Sequence, residues 1–243
     1  MSTPVPGATR NGIAPDGSTR RGSVMSKVCL VIGAGPGIGQ AVAYAFAHEG
    51  YDIAMIVRNP AKLTEACALI RKKTGREVRA YAGDAGEPRS LKAAIRRAQR
   101  GLGEIEVMVY NAAVATLCRP TKLTPDQLLK DAQVNVGGAL IAAQEVAKTM
   151  RKAKRGTILF TGSGFASEPA VNYASLSIGK AALRNLAYTL AQELGADDIH
   201  VATVTVHGFV QANTRFDPHR IAQAYVKLHK QRKGSFDIEA VYK

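Results

Sequence analysis

The stretch Val28-Cys29-Leu30-Val31-Ile32-Gly33-Ala34-Gly35-Pro36-Gly37-Ile38-Gly39 decides the fold of this chain. Residues 28–32 form the continuous apolar run expected of a parallel strand buried on both faces. Gly33, Gly37 and Gly39 follow with the spacing GxxxGxG, which leaves room for a tight turn, a pyrophosphate or a helix–strand contact. A helix that begins here offers free N–H groups to phosphates. We therefore predict a dinucleotide site formed by Gly33, Gly35, Pro36, Gly37, Ile38 and Gly39; the alternative is a tight strand–helix turn without a ligand.

Strand and helix patterns alternate along the rest of the chain. Further strands are predicted at 52–57, 77–82, 105–110, 157–161, 200–206 and 236–242. Helices are predicted from 38 to about 48, at 60–73, 88–100, 125–152 and 175–194, and from 218 to about 230. Regular alternation implies parallel strands joined by right-handed crossovers. The predicted fold class is therefore α/β, a three-layer doubly wound parallel sheet of about seven strands.

Length and composition indicate one folded domain. A chain of 243 residues can bury one sizeable core, and we assign residues 25–243 to it. Residues 1–24 are rich in Pro, Gly, Ser, Thr and Arg and are predicted to be a disordered tail. No apolar run is long enough to span a bilayer, so no membrane association is expected. The three cysteines (Cys29, Cys67 and Cys118) form neither a metal-ligand spacing nor a disulfide framework, which favours a reducing, cytoplasmic location.

The net charge of +14 raises the question of a nucleic-acid partner. The basic residues are scattered through the predicted helices, and no arginine–aromatic interleaving accompanies them. Solvated helix faces with a general attraction for anionic cofactors or substrates explain this charge better, and no nucleic acid is expected to bind.

Two residues after the second and third strands bear on the cofactor. A carboxylate at the end of the second strand would bind the ribose 2′-hydroxyl of NAD, but Val57-Arg58 stands there. Because Arg58 can pair with a 2′-phosphate, we predict NADP in preference to NAD; an exposed loop arginine is the alternative. Asp84 is predicted to accept a hydrogen bond from the adenine amine, or alternatively to cap the following turn.

Residues 26–243 resemble the short-chain dehydrogenase/reductase family. The resemblance rests on the glycine loop and Asp84, and on Tyr110-Asn111-Ala112-Ala113, which is similar to the family's NNAG segment. Asn135 is similar to the family's active-site asparagine, Ser163 lies 13 residues before position 176, and Lys180 begins the familiar Lys-Ala-Ala-Leu helix. The resemblance implies a Rossmann fold and an NAD(P)-dependent dehydrogenase or reductase that interconverts a small-molecule carbonyl and alcohol.

The resemblance also implies roles for individual residues. Lys180 would bond the nicotinamide ribose and lower the pKa of a proton-donating tyrosine. Ser163 would orient the substrate oxygen, and Asn135 would hold a water for proton relay. Asn111, Ala112, Gly208 and Val210 are further expected cofactor contacts, and no metal is expected.

Three features depart from the family pattern. Leu176 occupies the tyrosine position and cannot transfer a proton. His207-Gly208 replaces Pro-Gly, and Ala212 replaces a threonine that commonly touches the cofactor. Finally, the segment 208–218 is short, so the active site is expected to be open.

Tyr173 and His207 are alternative proton donors. Tyr173 lies seven residues before Lys180, but we slightly prefer a structural tyrosine packed before the helix. Histidine is a common general acid in proteins, so His207 is a candidate donor, although a histidine at a strand end is more often structural.

Two function classes remain from the sequence. The first is an NADP-dependent oxidoreductase with an atypical proton donor. The second is an NADP(H)-binding pseudoenzyme with a sensing or interaction role. The helices around 132–153 and 175–194 are expected to form a homodimer or homotetramer.

Overall fold

The computed structural model describes Met1 and residues 27–243. The tail predicted for residues 1–24 lies outside the described residues apart from Met1. Residues 25 and 26, the first two of the predicted domain, lie outside them as well. Both boundaries therefore stay predictions.

Within residues 27–243, which the structure describes, seven strands form one parallel sheet. They are β1 (Val28–Ile32), β2 (Asp52–Val57), β3 (Val78–Ala82), β4 (Ile105–Tyr110), β5 (Gly156–Ser163), β6 (Ile199–Val206) and β7 (Glu239–Tyr242). Their order is β3-β2-β1-β4-β5-β6-β7, and all neighbouring pairs are parallel. The predicted doubly wound sheet of about seven strands is confirmed. The order reverses between β1 and β4, where open sheets of this kind bind ligands.

Helices cover both faces of the sheet. They are α1 (Ile38–His48), α2 (Thr64–Thr74), α3 (Pro88–Leu102), α4 (Pro125–Ala132), α5 (Gly138–Ala153), α6 (Ala174–Leu194) and α7 (Pro218–His229). Alternate residues of a strand point to opposite faces. In β1, Cys29 and Val31 pack in the core cluster with α1, α2 and α7, whereas Val28, Leu30 and Ile32 pack in the cluster with α3, α5 and α6. The continuous apolar run of β1 thus reflects burial against two layers.

The long helical region predicted from Pro125 to Lys152 is present, but it is not one regular α-helix. A π-helical turn, Gln133–Gly137, separates α4 from α5. The hydroxyl of Tyr110, at the end of β4, donates a hydrogen bond of 2.5 Å to the carbonyl of Val134 inside this turn. A side chain that enters the hydrogen-bond ladder of a helix in this way distorts it locally.

The helix predicted to begin at Pro60 also begins later. Pro60–Leu63 is a 3₁₀ turn, and α2 starts at Thr64. Asn59 caps the turn, because its Oδ1 accepts a hydrogen bond of 3.1 Å from the N–H of Ala61. This cap begins a tight turn directly after β2, and the α-helix forms only after it.

The last strand is shorter than the predicted 236–242 and begins at Glu239. The ring of Phe236 stacks on His200 with 4.3 Å between centroids. Asp237 bonds to side chains: its N–H donates to Gln231 Oε1 and its carbonyl contacts His200 Nε2, both at 2.8 Å. These contacts occupy the backbone N–H and carbonyl of Asp237, which a longer β7 would need for hydrogen bonds to a neighbouring strand.

Glu239 fixes α6 against the sheet. Its carboxylate accepts hydrogen bonds from Arg184 and Tyr188 on α6 and from Thr205 on β6. The hydrogen bond from Arg184, followed by those from Thr205 and Tyr188, outweighs burial and lowers the pKa of Glu239 to about 2. The helix that carries Lys180 is therefore held by a charge that persists at neutral pH.

Candidate active site

An open cavity of about 640 Å³ lies at the carboxyl ends of β1, β2, β3 and β4. Its walls come from the glycine loop and from the segments that follow the other three strands. The lining residues are Ile32, Gly33, Gly35, Pro36, Gln40, Ile56, Val57, Arg58, Asn59, Lys62, Leu63, Gly83, Asp84, Ala85, Asn111, Ala112, Ala113, Val114 and Val134. Seven of the predicted cofactor-binding residues are among them, so the structure brings them together at the point where the strand order reverses.

The glycine loop packs against the segment that follows β4 and leaves the start of α1 open. Gly33 has a φ of +83°, and a side chain there would collide with the backbone of Ala112. Gly37, with a φ of +101°, precedes α1, and no side chain of the described residues caps this helix. Uncapped N–H groups at a helix N-terminus suit phosphate oxygens. Gly37, Ile38 and Gly39 are not part of the cavity lining, and their contact with a cofactor stays a prediction.

Two exposed cations line the cavity at the end of β2. Arg58 follows the strand directly, and Lys62 lies in the 3₁₀ turn. The last strand residue, Val57, is apolar, so no carboxylate stands there. Two positive charges at this place suit an anionic group. Sequence reasoning missed Lys62; its position four residues after Arg58 and next to a Pro-initiated turn was the available signal.

Asp84 lines the same cavity after β3. Its Oδ1 accepts a hydrogen bond of 2.8 Å from the N–H of Gly86, so it caps the turn, as the alternative interpretation expected. A carboxylate can accept further hydrogen bonds beyond this one. The predicted contact with adenine therefore stays a prediction.

A buried hydrogen-bond network joins the glycine loop to β5 and α7. Asn111 Nδ2 donates to the carbonyl of Gly33 at 2.8 Å. The hydroxyl of Thr161 donates to Asn111 Oδ1 at 2.9 Å and lies 2.7 Å from the hydroxyl of Tyr225. The Asn111 side chain thus supports the loop from below the cavity, a role that the sequence did not indicate.

Hydrogen-bonding capacity fixes the direction of each bond in this network. The Gly33 carbonyl can only accept, so the amide nitrogen of Asn111 must face it and the amide oxygen must face Thr161. Thr161 has one hydroxyl proton and gives it to Asn111. Tyr225 must therefore be the donor to Thr161. Burial raises the pKa of the Tyr225 phenol, which keeps that proton in place.

Lys180 reaches the same strand from α6. Its side chain is buried, and Nζ donates a hydrogen bond of 2.6 Å to the carbonyl of Thr161. Burial lowers the pKa of Lys180 to about 8. Thr161 therefore contacts Lys180 through its carbonyl and Asn111 through its hydroxyl, and it links the two predicted site residues.

Asn135 lies in the π-helical turn and is buried. Its side chain pairs with the backbone of Val114: Oδ1 accepts at 2.7 Å and Nδ2 donates at 3.1 Å. Gly179 packs on it so closely that an added Cβ would lie 2.8 Å from the Asn135 Cβ. Asn135 therefore holds a cavity-lining residue against the helix that carries Lys180.

Ser163, Tyr173 and Leu176 lie beyond the cavity lining, at the end of β5 and the start of α6. Ser163 Oγ accepts a hydrogen bond of 3.2 Å from the N–H of Phe165. Tyr173 immediately precedes α6, and its ring stacks on Phe165 with 6.2 Å between centroids. Leu176 is half-buried in the first turn of α6. The packed tyrosine that we preferred fits this stacking, and no described residue hydrogen-bonds to its hydroxyl.

The segment after β6 stands apart from the cavity. The ring of His207 lies beside Gly164, where an added Cβ would come within 2.8 Å of Nδ1. Gly208 packs against the ring of Phe216, and Val210 is exposed. Gly208 and Val210 do not line the cavity, so the structure does not gather these two predicted cofactor contacts with the other seven.

Comparison with known proteins decides the family. The model of the short chain dehydrogenase family matches residues 27–218, which is most of the chain. The chain belongs to the short-chain dehydrogenase family. The resemblance noted in the sequence is confirmed, and the matched region includes the glycine loop, Ser163 and Lys180.

Relatives of this short-chain dehydrogenase are named dehydrogenases and reductases. It is 29% identical over 182 residues to 2,3-dihydro-2,3-dihydroxybenzoate dehydrogenase of Bacillus subtilis, over 75% of this chain and 69% of that protein. It is 26% identical over 193 residues to 3-oxoacyl-(acyl-carrier-protein) reductase of Bos taurus, over 79% of each. The structure of a metagenomic short-chain oxidoreductase in complex with NADP matches with a TM-score of 0.82 and 27% identity, over 90% of this chain and 98% of that one. The protein is thus a member of an oxidoreductase family.

Within residues 27–243, no helix is long and apolar enough to cross a membrane. The same part of the chain has no group of three or more His, Cys, Asp or Glu side chains arranged to hold a metal ion.

Proposed function

We propose that this short-chain dehydrogenase uses NADP(H), in preference to NAD(H), to interconvert a small-molecule carbonyl compound and an alcohol. The observation that carries the proposal is the cavity that connects two cations after β2 with the glycine loop and Asn111. The NADP-bound relative with the same fold supports the choice of cofactor.

The chain offers a partner for each part of this cofactor. Arg58 and Lys62 would hold the 2′-phosphate, and the start of α1 would hold the pyrophosphate. Lys180 would bond the nicotinamide ribose. When bound, NADPH supplies the hydride: the carbonyl carbon accepts the hydride and the oxygen accepts a proton, which gives an alcohol and NADP⁺.

The proton requires a donor other than residue 176. Ser163 would orient the substrate oxygen, and its hydroxyl lies at the end of β5. The segment 208–218 is short and most of its residues are exposed, so water can reach this end of the sheet. We assign the proton to solvent that reaches the oxygen held by Ser163, with Tyr173 as the alternative donor.

A pseudoenzyme that binds NADP(H) without turnover is the second candidate. Leu176, half-buried in the first turn of α6, is the observation that favours it. Retention of Ser163, Asn135 and the buried Lys180 favours the enzyme. Consumption of NADPH with a panel of ketones, aldehydes and quinones separates the two.

Location and assembly are part of the proposal. Cys29, Cys67 and Cys118 are free thiols, which suits a reducing cytoplasm. The exposed Leu140 on α5 and Ile178 on α6 suit the subunit contact of a homodimer or homotetramer.

Cofactor titration tests the role of the two cations. NADPH and NADH are titrated into the wild-type protein, Arg58→Ala, Lys62→Ala and the double variant. Loss of a charged hydrogen-bond partner should weaken NADPH binding about tenfold per residue and leave NADH unchanged. Lys72→Ala, which removes an exposed cation on α2 that does not line the cavity, is the control and should bind as the wild type does. Equal wild-type affinities for NADPH and NADH would contradict the assignment.

A further inference from the structure

Three segments at the carboxyl ends of β4, β5 and β6 are unusually poor in charge. We call residues 113–118, 164–173 and 207–214 the apolar rim. Its 24 residues include one Asp, Glu, Lys or Arg, namely Glu168, although 21% of the whole chain is charged. The average composition would place about five charged residues there. The rim therefore differs from the segment after β2, at the same edge of the sheet, where Arg58 and Lys62 lie.

Specific contacts join the three segments. Cys118 forms a parallel bridge with Tyr173, and its N–H donates to the carbonyl of Asn172 at 2.8 Å. Tyr173 stacks on Phe165. The ring of His207 lies against Gly164, the residue before Phe165. The segments thus form one continuous surface, which begins directly after Ser163.

Large apolar side chains of the rim are open to solvent. Leu117, Val171, Phe209 and Val210 are 71%, 59%, 82% and 43% exposed. They are four of the ten exposed large hydrophobic residues in the described part of the chain. A concentration of this kind marks a binding surface.

Three polar side chains of the rim are engaged by the protein. Ser167 Oγ donates to the carbonyl of Gly164 at 3.2 Å, and Thr214 Oγ1 donates to the carbonyl of Gln211 at 2.8 Å. Asn172 Oδ1 accepts from the guanidinium of Arg119. A ligand with many hydroxyl groups would lose its hydration against the exposed Leu117, Val171 and Phe209, which offer it no hydrogen bond in return.

We propose that the apolar rim binds the substrate, and that the substrate is a carbonyl compound or alcohol whose reacting carbon bears a bulky aromatic or alicyclic group. This inference rests on the proposed function, since it places the reacting oxygen at Ser163. Sites for small molecules commonly combine such an apolar wall with a few polar groups that fix orientation. A sugar-like or phosphorylated substrate does not match this surface.

The position of the rim favours a small molecule over a second protein chain. The rim begins directly after Ser163 and continues from the cavity along residues 111–118, whose first members line that cavity. Its residues belong to the segments that follow three strands of the sheet, which is where the fold places ligands. The exposed apolar residues of α5 and α6 that suit a subunit contact are outside it.

Two aldehydes test the inference: naphthaldehyde, which is bulky and aromatic, and glyceraldehyde, which is small and polar. We expect kcat/KM to favour naphthaldehyde by tenfold or more. Phe209→Ser should lower kcat/KM for naphthaldehyde about tenfold and leave glyceraldehyde and the NADPH Kd unchanged. Leu69→Ser, at a 51% exposed leucine on α2, is the matched control and should change none of these values.

Calorimetry gives a readout without turnover. Naphthylmethanol should bind to the protein saturated with NADP⁺, and Phe209→Ser should weaken this binding about tenfold. The inference is overturned if kcat/KM is equal for both aldehydes, or if calorimetry detects no binding of naphthylmethanol. In either case, binding of NADPH would leave the proposed function standing. A change of oligomeric state in Phe209→Ser also overturns it, because the rim would then be a subunit interface. Failure to bind NADPH would instead reject the proposed function.

Discussion

Replacement of Lys180 by methionine should remove a rise in stability that the wild-type protein shows above pH 8. Burial lowers the pKa of the Lys180 ammonium from its ordinary 10.5 to about 8. Between these values the unfolded chain binds more protons than the folded protein, so the free energy of unfolding increases with pH. This contribution is complete above pH 10.5 and is lost as the pH falls through 8. At about 1.4 kcal/mol for each factor of ten in the proton equilibrium, its full size is about 3 kcal/mol.

The measurement compares unfolding at about pH 7 and about pH 9.5, where the wild-type protein should gain about 2 kcal/mol from Lys180 alone. Urea titrations are followed by far-UV circular dichroism, because the chain has no tryptophan. Other titrating groups are common to the proteins compared and cancel in the difference between their curves. Lys152→Met, at an exposed lysine of α5, is the control and should keep the wild-type rise. If wild type and Lys180→Met gain the same stability, the Lys180 ammonium is not desolvated and the reasoning is refuted.

Two further substitutions probe the site. Leu176→Tyr should raise the rate of carbonyl reduction about 10²- to 10⁴-fold, because a positioned proton donor is worth that much, or less if the added ring overpacks the pocket. Tyr173→Phe should leave the rate in the same NADPH assay nearly unchanged. Loss of the wild-type activity in Tyr173→Phe would make Tyr173 the donor. Thr161→Val leaves Asn111 Oδ1 and the Tyr225 hydroxyl without a partner, so urea denaturation should show a loss of about 2–4 kcal/mol. The double variant with Tyr225→Phe should lose less than the two single variants together, and strict additivity would show that the two hydroxyls do not interact.

The fold was predictable because its signals are local. β1 is an apolar run buried on both faces, and the glycine loop joins strand to helix within seven residues. The π-helical turn was not predictable, because it depends on the hydroxyl of Tyr110, 24 residues before Val134. Residue patterns report periodicity along one element and carry no information on such a distant hydrogen bond.

The same distinction between local signals and distant contacts separates the site residues that were predicted from those that were missed. Arg58 and Asp84 could be placed in the cavity because each lies within two residues of the end of a strand that was evident from the sequence. Thr161 could not, since its role depends on Tyr225, 64 residues later, and on Lys180 approaching from the other face of the sheet. Gly208 and Val210 were inferred from family likeness alone, and their place beside a cofactor remains a prediction.

Transfer of deuterium from cofactor to product tests the central claim most directly. NADPH carrying deuterium at the nicotinamide C4 position is incubated with the protein and naphthaldehyde, and the alcohol is analysed by mass spectrometry. We expect one deuterium in the alcohol, delivered from a single face of the nicotinamide, and no more than background label with Lys180→Met. Tight NADPH binding with no deuterated alcohol from any carbonyl compound would contradict hydride transfer and identify the protein as the cofactor-binding pseudoenzyme.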